Sequence, residues 1–137
     1  MYAGEDGSCR SRTNERTNPV TAATISAQQV AEGYANAWTS GDIDTAMSYI
    51  ADDIVCEAPA GTIEGKPAYR EFTTTFVSRL LVTGRVTAVL ADDSSAAILY
   101  TNDTKVVQGM RAMDYATVAN GKITRLVTVF DRLPFGR

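Results

Sequence analysis

The feature that most constrains the fold of this chain is an alternation of apolar and polar side chains in its second half. Such alternation is typical of strands that bury one face. The segments that carry it are residues 82–91, 96–102, 105–119 and 122–131. Asn120-Gly121 is the strongest short hairpin signal in the chain, and polar clusters mark the other reversals. The pattern therefore predicts an antiparallel meander.

The first half of the chain carries helical spacing instead. Its apolar residues predict one helix that begins near Ser26 and ends at Gly41, and a shorter helix that Asp42 caps. A third helix is predicted from Pro67 to about Leu80, because proline suits the first turn of a helix.

These elements together predict an α+β fold. Residues 54–59 are strand-like, and residues 62–64 form a short strand. We predict one domain over residues 23–137, in which helices pack on one face of a sheet that curls around them and leaves a pocket at one end. Residues 1–22 are polar and are predicted to be a disordered leader.

The composition excludes several function classes. A net charge of −3 without a basic cluster argues against nucleic acid, and no apolar run is long enough to span a membrane. The chain contains no histidine, which removes Ser-His-Asp triads and the usual zinc ligand sets, so we predict neither a metal nor another cofactor. With no signal-peptide pattern, a cytoplasmic location is predicted, and Cys9 and Cys56 are expected to be free thiols.

One acidic residue interrupts an apolar strand face. Read as a strand, residues 106–118 place Asp114 on the same face as Val106, Gln108, Met110, Ala112, Ala116 and Val118. A carboxyl group in such surroundings loses hydration, which raises its pKa. Asp114 is therefore predicted to lie inside a hydrophobic pocket.

The order of the motifs resembles that of a known superfamily. A helix is followed by AWTSGDIDTAMSYIADDIVCEAP, then GTIEGKPAYREF, then a meander that closes on NGKI. Over residues 24–132 this order is similar to that of the ketosteroid isomerase and nuclear transport factor 2-like superfamily, which includes SnoaL-type polyketide cyclases. The resemblance implies a cone-shaped fold with a curved antiparallel sheet wrapped around the helices. It also implies a small hydrophobic, steroid- or polyketide-like ligand.

The resemblance also implies roles for particular residues. In ketosteroid isomerases a tyrosine at the position of Tyr34 and a protonated aspartic acid at the position of Asp114 form an oxyanion hole. The proton-shuttling aspartate of that family corresponds to Ala58, so the usual base is missing. The remaining residues expected to line the pocket are Trp38, Phe76, Met110, Ala112, Ala116, Thr128 and Phe130.

Two interpretations remain open at this stage. In the first, Tyr34 and Asp114 polarise a carbonyl or hydroxyl oxygen in an isomerase- or cyclase-like reaction. In the second, the Tyr34 hydroxyl simply bonds Asp114, and the chain is a non-catalytic binding or dimerisation module. Glu57 is a poor substitute base because alternation turns it away from the pocket, and Asp103 and Asp131 are expected to be solvated loop charges.

A homodimer is a further expectation from the resemblance, since proteins of this fold commonly pair through the outer face of the sheet. The residues that this would place at the contact are Arg111, Met113, Tyr115, Val127 and Val129.

Overall fold

The computed structural model describes residues 25–136. They form helices α1 (Ala27–Thr39), α2 (Ile43–Met47) and α3 (Lys66–Arg79), strands β1 (Ile50–Ala58), β2 (Gly61–Glu64), β3 (Leu81–Ala91), β4 (Ser95–Thr104), β5 (Met110–Ala119) and β6 (Lys122–Phe130), and a final 3₁₀ turn (Leu133–Phe135). The α+β class with a curved sheet is confirmed. The predicted leader, residues 1–22, lies outside the described residues, as does Cys9.

The described strands form one sheet in the order β2-β1-β6-β5-β4-β3. Strands β3 to β6 are the predicted antiparallel meander. The sheet is nevertheless mixed, because β1 pairs with β6 in parallel. The expectation of a wholly antiparallel sheet is wrong at this point. About 65 residues separate β1 from β6, so no local signal specifies the direction in which the two strands meet.

The core lies between the helices and one face of the sheet. Val30, Ala31 and Tyr34 of α1 are buried, and they face alternate residues of the meander such as Ile98 and Leu126. Register shifts interrupt the pairing of β1 with β6, of β3 with β4 and of β5 with β6. Such shifts bend strands and increase their twist, which helps the sheet to curl around the helices.

Local sequence signals account for most element boundaries. Ser26 and Gln29 form a reciprocal capping box at the start of α1, and Asp42 accepts a hydrogen bond from the backbone of Thr45 at the start of α2. Asn120 and Gly121 adopt φ angles of 54° and 77°, as the predicted two-residue hairpin requires.

The predicted strand over residues 105–119 is too long, because β5 begins at Met110. The Thr104 hydroxyl accepts hydrogen bonds from the backbone of Val106 and Val107, and the Asp103 carboxylate accepts one from Gly109. These contacts fold residues 105–109 into a loop. Gln108 is exposed in that loop and does not share the face of Asp114.

Two further observations bear on the sequence analysis. Cys56 is a buried free thiol. None of the helices in residues 25–136 is both long enough and apolar enough to cross a membrane.

Candidate functional site

Asp114 lies near the middle of β5, on the face that packs against the helices, and is 5 % exposed. Its Oδ1 accepts a hydrogen bond of 2.8 Å from the Thr128 hydroxyl, and its Oδ2 accepts one of 3.0 Å from the Tyr100 hydroxyl. Tyr100 in turn accepts a hydrogen bond of 3.1 Å from the Trp38 indole nitrogen. The carboxyl group therefore lies at the end of a buried chain of hydrogen bonds.

A cavity of about 60 Å³ adjoins this carboxyl group, enough for about four water molecules. Most residues of the predicted pocket are brought together in its wall, namely Tyr34, Trp38, Phe76, Met110, Ala112, Asp114, Thr128 and Phe130. The remaining lining residues are Tyr69, Phe72, Thr73, Tyr100 and Asn102. The interior of the curled sheet is thus incompletely filled.

Two residues of the predicted pocket lie elsewhere. Ala116 is fully buried between the neighbouring strands, paired with Ala96 and Leu126, and belongs to the solid core. Ala58 lines a second cavity of about 600 Å³, which shares Phe72, Phe76 and Phe130 with the first. Both residues lie on the strand faces expected from the sequence, but at different positions along their strands. One part of such a face packs in the core, and another part of the same face lines a cavity.

The hydroxyl group of Tyr34 makes a hydrogen bond to the hydroxyl group of Tyr69. The direct bond from Tyr34 to Asp114, expected under the structural interpretation, is therefore absent; Tyr100 holds the carboxyl group instead. Tyr69 is on α3, which contacts β1, β2 and β3. Burial raises the pKa of both Tyr34 and Tyr69 above the ordinary value, so both phenols keep their protons at neutral pH.

Burial raises the pKa of Asp114 to about 6, and the hydrogen bonds from Thr128 and Tyr100 limit the rise. At neutral pH the group is then about 90 % ionised. The resemblance implied an uncharged acid at this position. The shift has the expected direction, and the hydrogen bonds from two hydroxyl groups to the carboxylate oppose it by stabilising the charge.

The other acids named in the sequence analysis have structural partners. Glu57 forms an ion pair with Arg125 on the outer face, Asp103 holds the loop before β5, and Asp131 accepts a hydrogen bond from the backbone of Leu133. Within residues 25–136, no group of three His, Cys, Asp or Glu side chains is placed to hold a metal ion.

Five residues that line the first cavity were not predicted from the sequence. Two of them, Tyr100 and Asn102, could have been predicted. Alternation along β4 buries Ile98, Tyr100, Asn102 and Thr104 on one face, by the same rule that identified Asp114. The other three, Tyr69, Phe72 and Thr73, are on α3 and could not be predicted in this way. Helical spacing shows which side of a helix is buried, but it does not show whether that side contacts the core or a cavity.

Comparison with known proteins supports the fold. Residues 31–126 match the model of the SnoaL-like domain. A protein from Kribbella flavida, named only as a "known function protein", is 41 % identical over 80 % of this chain and 90 % of that chain, with a TM-score of 0.77.

Two more distant structures have the same fold. An NTF2-like protein of unknown function from Cytophaga hutchinsonii is 16 % identical over 82 % of this chain and 96 % of that chain, with a TM-score of 0.71. An inferred ketosteroid isomerase from Kribbella flavida is 20 % identical over 79 % of each chain, with a TM-score of 0.67. No protein of curated function matches the chain.

Proposed function

The chain belongs to the SnoaL-like domain family. We propose that it binds a small, mostly apolar compound with a carbonyl or hydroxyl oxygen and catalyses the transfer of a proton from one carbon atom of that compound to another. The reaction class is that of isomerases and cyclases acting on steroid- or polyketide-like compounds. In such reactions a proton leaves a carbon next to a carbonyl group, and hydrogen bonds stabilise the resulting enolate.

Asp114 is the proton acceptor in this proposal. A pKa of about 6 leaves the group ionised at neutral pH while keeping it basic enough to take a proton. Each carboxylate oxygen already accepts one hydrogen bond, from Thr128 or Tyr100, and keeps a further lone pair. This role supplies the base that is missing at Ala58, and it replaces the role of a protonated donor that the resemblance implied for Asp114.

Tyr34 and Tyr69 are the hydrogen-bond donors. In a pair of hydroxyl groups only one proton lies between the two oxygens, so the other proton is free to point at a ligand oxygen. Both side chains line the cavity together with Asp114. The cavity itself is too small for the whole compound, whose apolar body would extend into the second cavity of about 600 Å³ past the shared side chains of Phe72, Phe76 and Phe130. A donor pair and a carboxylate that face one apolar space are the groups that proton abstraction next to a carbonyl needs.

The observation that carries the proposal is the burial of an ionisable carboxyl group at the wall of an apolar cavity. A carboxylate costs stability in such a place, and a core alanine would avoid this cost. Perturbed groups in clefts are enriched at functional sites. The similarity in fold to an inferred ketosteroid isomerase agrees with the reaction class.

Binding tests the site first. We expect 2-naphthol, an apolar compound with one hydroxyl group, to bind. The fluorescence of 2-naphthol measures this binding. Because the ionised carboxylate accepts a hydrogen bond better than the neutral acid, affinity should rise about tenfold as the pH passes upward through the Asp114 pKa. Asp114→Asn should abolish this pH dependence. Asp53→Asn, which changes an exposed acid on β1, is the matched control and should keep it.

Proton transfer tests the chemistry. We expect the protein to accelerate exchange of the α-hydrogens of 2-tetralone in deuterated water, followed by NMR. Asp114→Asn should slow this exchange by about a hundredfold or more. Tighter 2-naphthol binding at low pH would contradict the role as base and favour a neutral donor. Absence of both 2-naphthol binding and exchange would refute the proposed function.

A second candidate function is a non-catalytic dimerisation module. Met113, Tyr115 and Val129 are 37 %, 46 % and 51 % exposed, and they are cross-strand neighbours on the outer face together with Val127. Covering such an apolar patch is a usual reason for association. We propose a homodimer through this face; it is compatible with either interpretation of the pocket. A cytoplasmic location stays a prediction.

A further inference from the structure

The first member of the buried hydrogen-bond chain at Asp114 fixes the direction of that chain. The chain runs from the Trp38 indole through the Tyr100 hydroxyl to the Asp114 carboxyl group, over distances of 3.1 and 3.0 Å. An indole nitrogen can only donate, and a phenol has a single proton to donate. Tyr100 must therefore accept from Trp38, and its own proton goes to Oδ2 of Asp114.

Packing holds Trp38 and Tyr100 in this arrangement. Both side chains are buried, and their rings pack against each other with centroids 5.0 Å apart. Phe76 of α3 packs against Trp38 edge to face, with centroids 6.2 Å apart. A buried indole N–H that turned away from Tyr100 would lose its hydrogen bond, which is costly. Oδ2 therefore keeps a donor whether Asp114 is ionised or neutral.

The other carboxyl oxygen, Oδ1, has a partner of a different kind. The Thr128 hydroxyl oxygen lies 2.8 Å from Oδ1 and 3.9 Å from the Sγ atom of Cys56. Because a hydroxyl group rotates, Thr128 can donate to Oδ1, or it can accept from Oδ1 and donate to the sulfur. Burial raises the pKa of Cys56 to about 11, so this sulfur stays a neutral, weak acceptor. The hydrogen bond at Oδ1 can therefore reverse.

These two environments suit the two oxygens of a neutral carboxylic acid. One oxygen of such an acid carries the proton and donates, and the other is a carbonyl oxygen that accepts. The permanent donor Tyr100 matches a carbonyl oxygen at Oδ2, and the reversible hydroxyl of Thr128 can accept from an O–H group at Oδ1. Both partners favour the same position of the proton.

We propose that Trp38 and Tyr100 are positioning residues that keep Oδ2 as an acceptor, so that Asp114 takes up a proton on Oδ1 while the Thr128 hydroxyl turns toward Cys56. The part of this inference that concerns catalysis rests on the proposed function. In that reaction a C–H bond of the ligand breaks, its electron pair stays on the enolate, and the proton forms an O–H bond at Oδ1. Return of the proton to another carbon atom restores the carboxylate.

Within residues 25–136, the other titratable groups close to Asp114 keep their protons in the pH range of its titration. These groups are Tyr34 of α1, Tyr69 of α3, Tyr100 of β4 and Cys56 of β1, and burial raises the pKa of each. Thr128 of β6 does not titrate. A spectral change near pH 6 that Asp114→Asn removes therefore belongs to Asp114.

Infrared spectroscopy can locate the proton. The carbonyl band of a protonated carboxylic acid moves to lower frequency when its carbonyl oxygen accepts a hydrogen bond. We expect Tyr100→Phe to move the Asp114 band to higher frequency, because Oδ2 loses its donor, and Thr128→Val to leave the band nearly in place. Tyr115→Phe, which changes a tyrosine that is 46 % exposed on the outer face, is the matched control and should not move the band.

The pKa of Asp114, followed by the NMR signal of its carboxyl carbon, provides a second measurement. Tyr100→Phe should raise this pKa by about one unit, because a hydrogen bond to an ionised group is stronger than one to a neutral group. Thr128→Val should raise it less, since Thr128 bonds both forms of the acid. Distance alone predicts the opposite order, because the Thr128 bond is the shorter one.

The pH profile of the reaction connects the proton position to catalysis. The rate of α-hydrogen exchange of 2-tetralone should rise as Asp114 ionises, and Tyr100→Phe should move the midpoint upward by about one pH unit. A residue needed only for folding would lower Tm without moving this midpoint. Trp38→Phe, which keeps an aromatic ring but loses the N–H donor, serves as a second variant if Tyr100→Phe does not fold. It should move the band and the midpoint in the same directions by smaller amounts.

The failure of this inference is distinguishable from the failure of the proposed function. If Thr128→Val moves the carbonyl band as much as Tyr100→Phe or more, or if neither variant moves it, the inference is wrong, while 2-naphthol binding and exchange still support the proposed function. If the band and the pKa respond as expected but the protein neither binds 2-naphthol nor exchanges 2-tetralone, the proton position is upheld and the proposed function is wrong.

Discussion

Replacement of Asp114 by asparagine should change how the stability of this protein depends on pH. Asparagine has nearly the same shape as aspartate but does not titrate. The difference in unfolding free energy between variant and parent therefore isolates the ionisation of one carboxyl group. Other titrating groups are common to both proteins and cancel in this difference.

The sign follows from the direction of the shift. Burial raises the pKa of Asp114 from 3.8 in the unfolded chain to about 6 in the folded protein. The folded state therefore favours the protonated form, and its stabilising contribution is complete below the unfolded value. That contribution is lost as the pH rises through about 6.

The magnitude follows from the same two values. Each pKa unit corresponds to about 1.4 kcal/mol, so a rise from 3.8 to about 6 corresponds to about 3 kcal/mol. We expect Asp114→Asn to gain about 3 kcal/mol relative to the parent between about pH 3.5 and pH 7.5. The amide loses one acceptor for Tyr100 or Thr128, which adds an offset that does not vary with pH.

Urea denaturation of both proteins at closely spaced pH values, followed by tryptophan fluorescence, measures this difference. The reasoning is supported if the difference in unfolding free energy rises between about pH 3.8 and about pH 6 and is nearly constant outside that range. A difference that stays constant with pH would show that Asp114 has an ordinary pKa in the folded protein. A difference that falls with rising pH would show that the site stabilises the anion, so that the hydrogen bonds outweigh burial.

Three further outcomes are expected. Ala58→Asp, at the position where the resembled isomerases carry their base, should add isomerisation of a β,γ-unsaturated ketosteroid, seen as absorbance of the conjugated product; an inert variant would contradict the alignment. Tyr115→Lys should convert a dimer into a monomer in sedimentation velocity, whereas a monomeric parent would exclude the dimer. Gly121→Ala should cost about 1 kcal/mol in urea denaturation because the position has φ of 77°, and an unchanged midpoint would contradict the turn.

The inward position of Asp114 could be predicted because it depends on neighbouring residues alone. Side chains of a strand alternate in direction, so the apolar neighbours on both sides indicate which way Asp114 points. The Asn120-Gly121 turn is equally local, since its backbone angles suit few other residue pairs. The same rule, applied to β4, also indicates Tyr100 and Asn102.

The chemical state of the site was not accessible in this way. Whether Asp114 is a donor or an acceptor depends on Tyr100 and Thr128, which reach it from two neighbouring strands. The partner of Tyr34 is Tyr69, 35 residues further along the chain. No pattern within a single segment specifies such encounters.

By itself, the sequence determined the order of helices and strands, the inward position of Asp114 on β5 and the Asn120-Gly121 turn. Each of these follows from backbone preferences and burial over a few residues. Only the tertiary structure decided that β1 runs parallel to β6, that Ala116 is packed while Ala112 lines a cavity, and that hydroxyl groups from two neighbouring strands bond the buried carboxyl group. These features depend on distances between remote segments, because desolvation and hydrogen bonding are properties of the space that several elements enclose together.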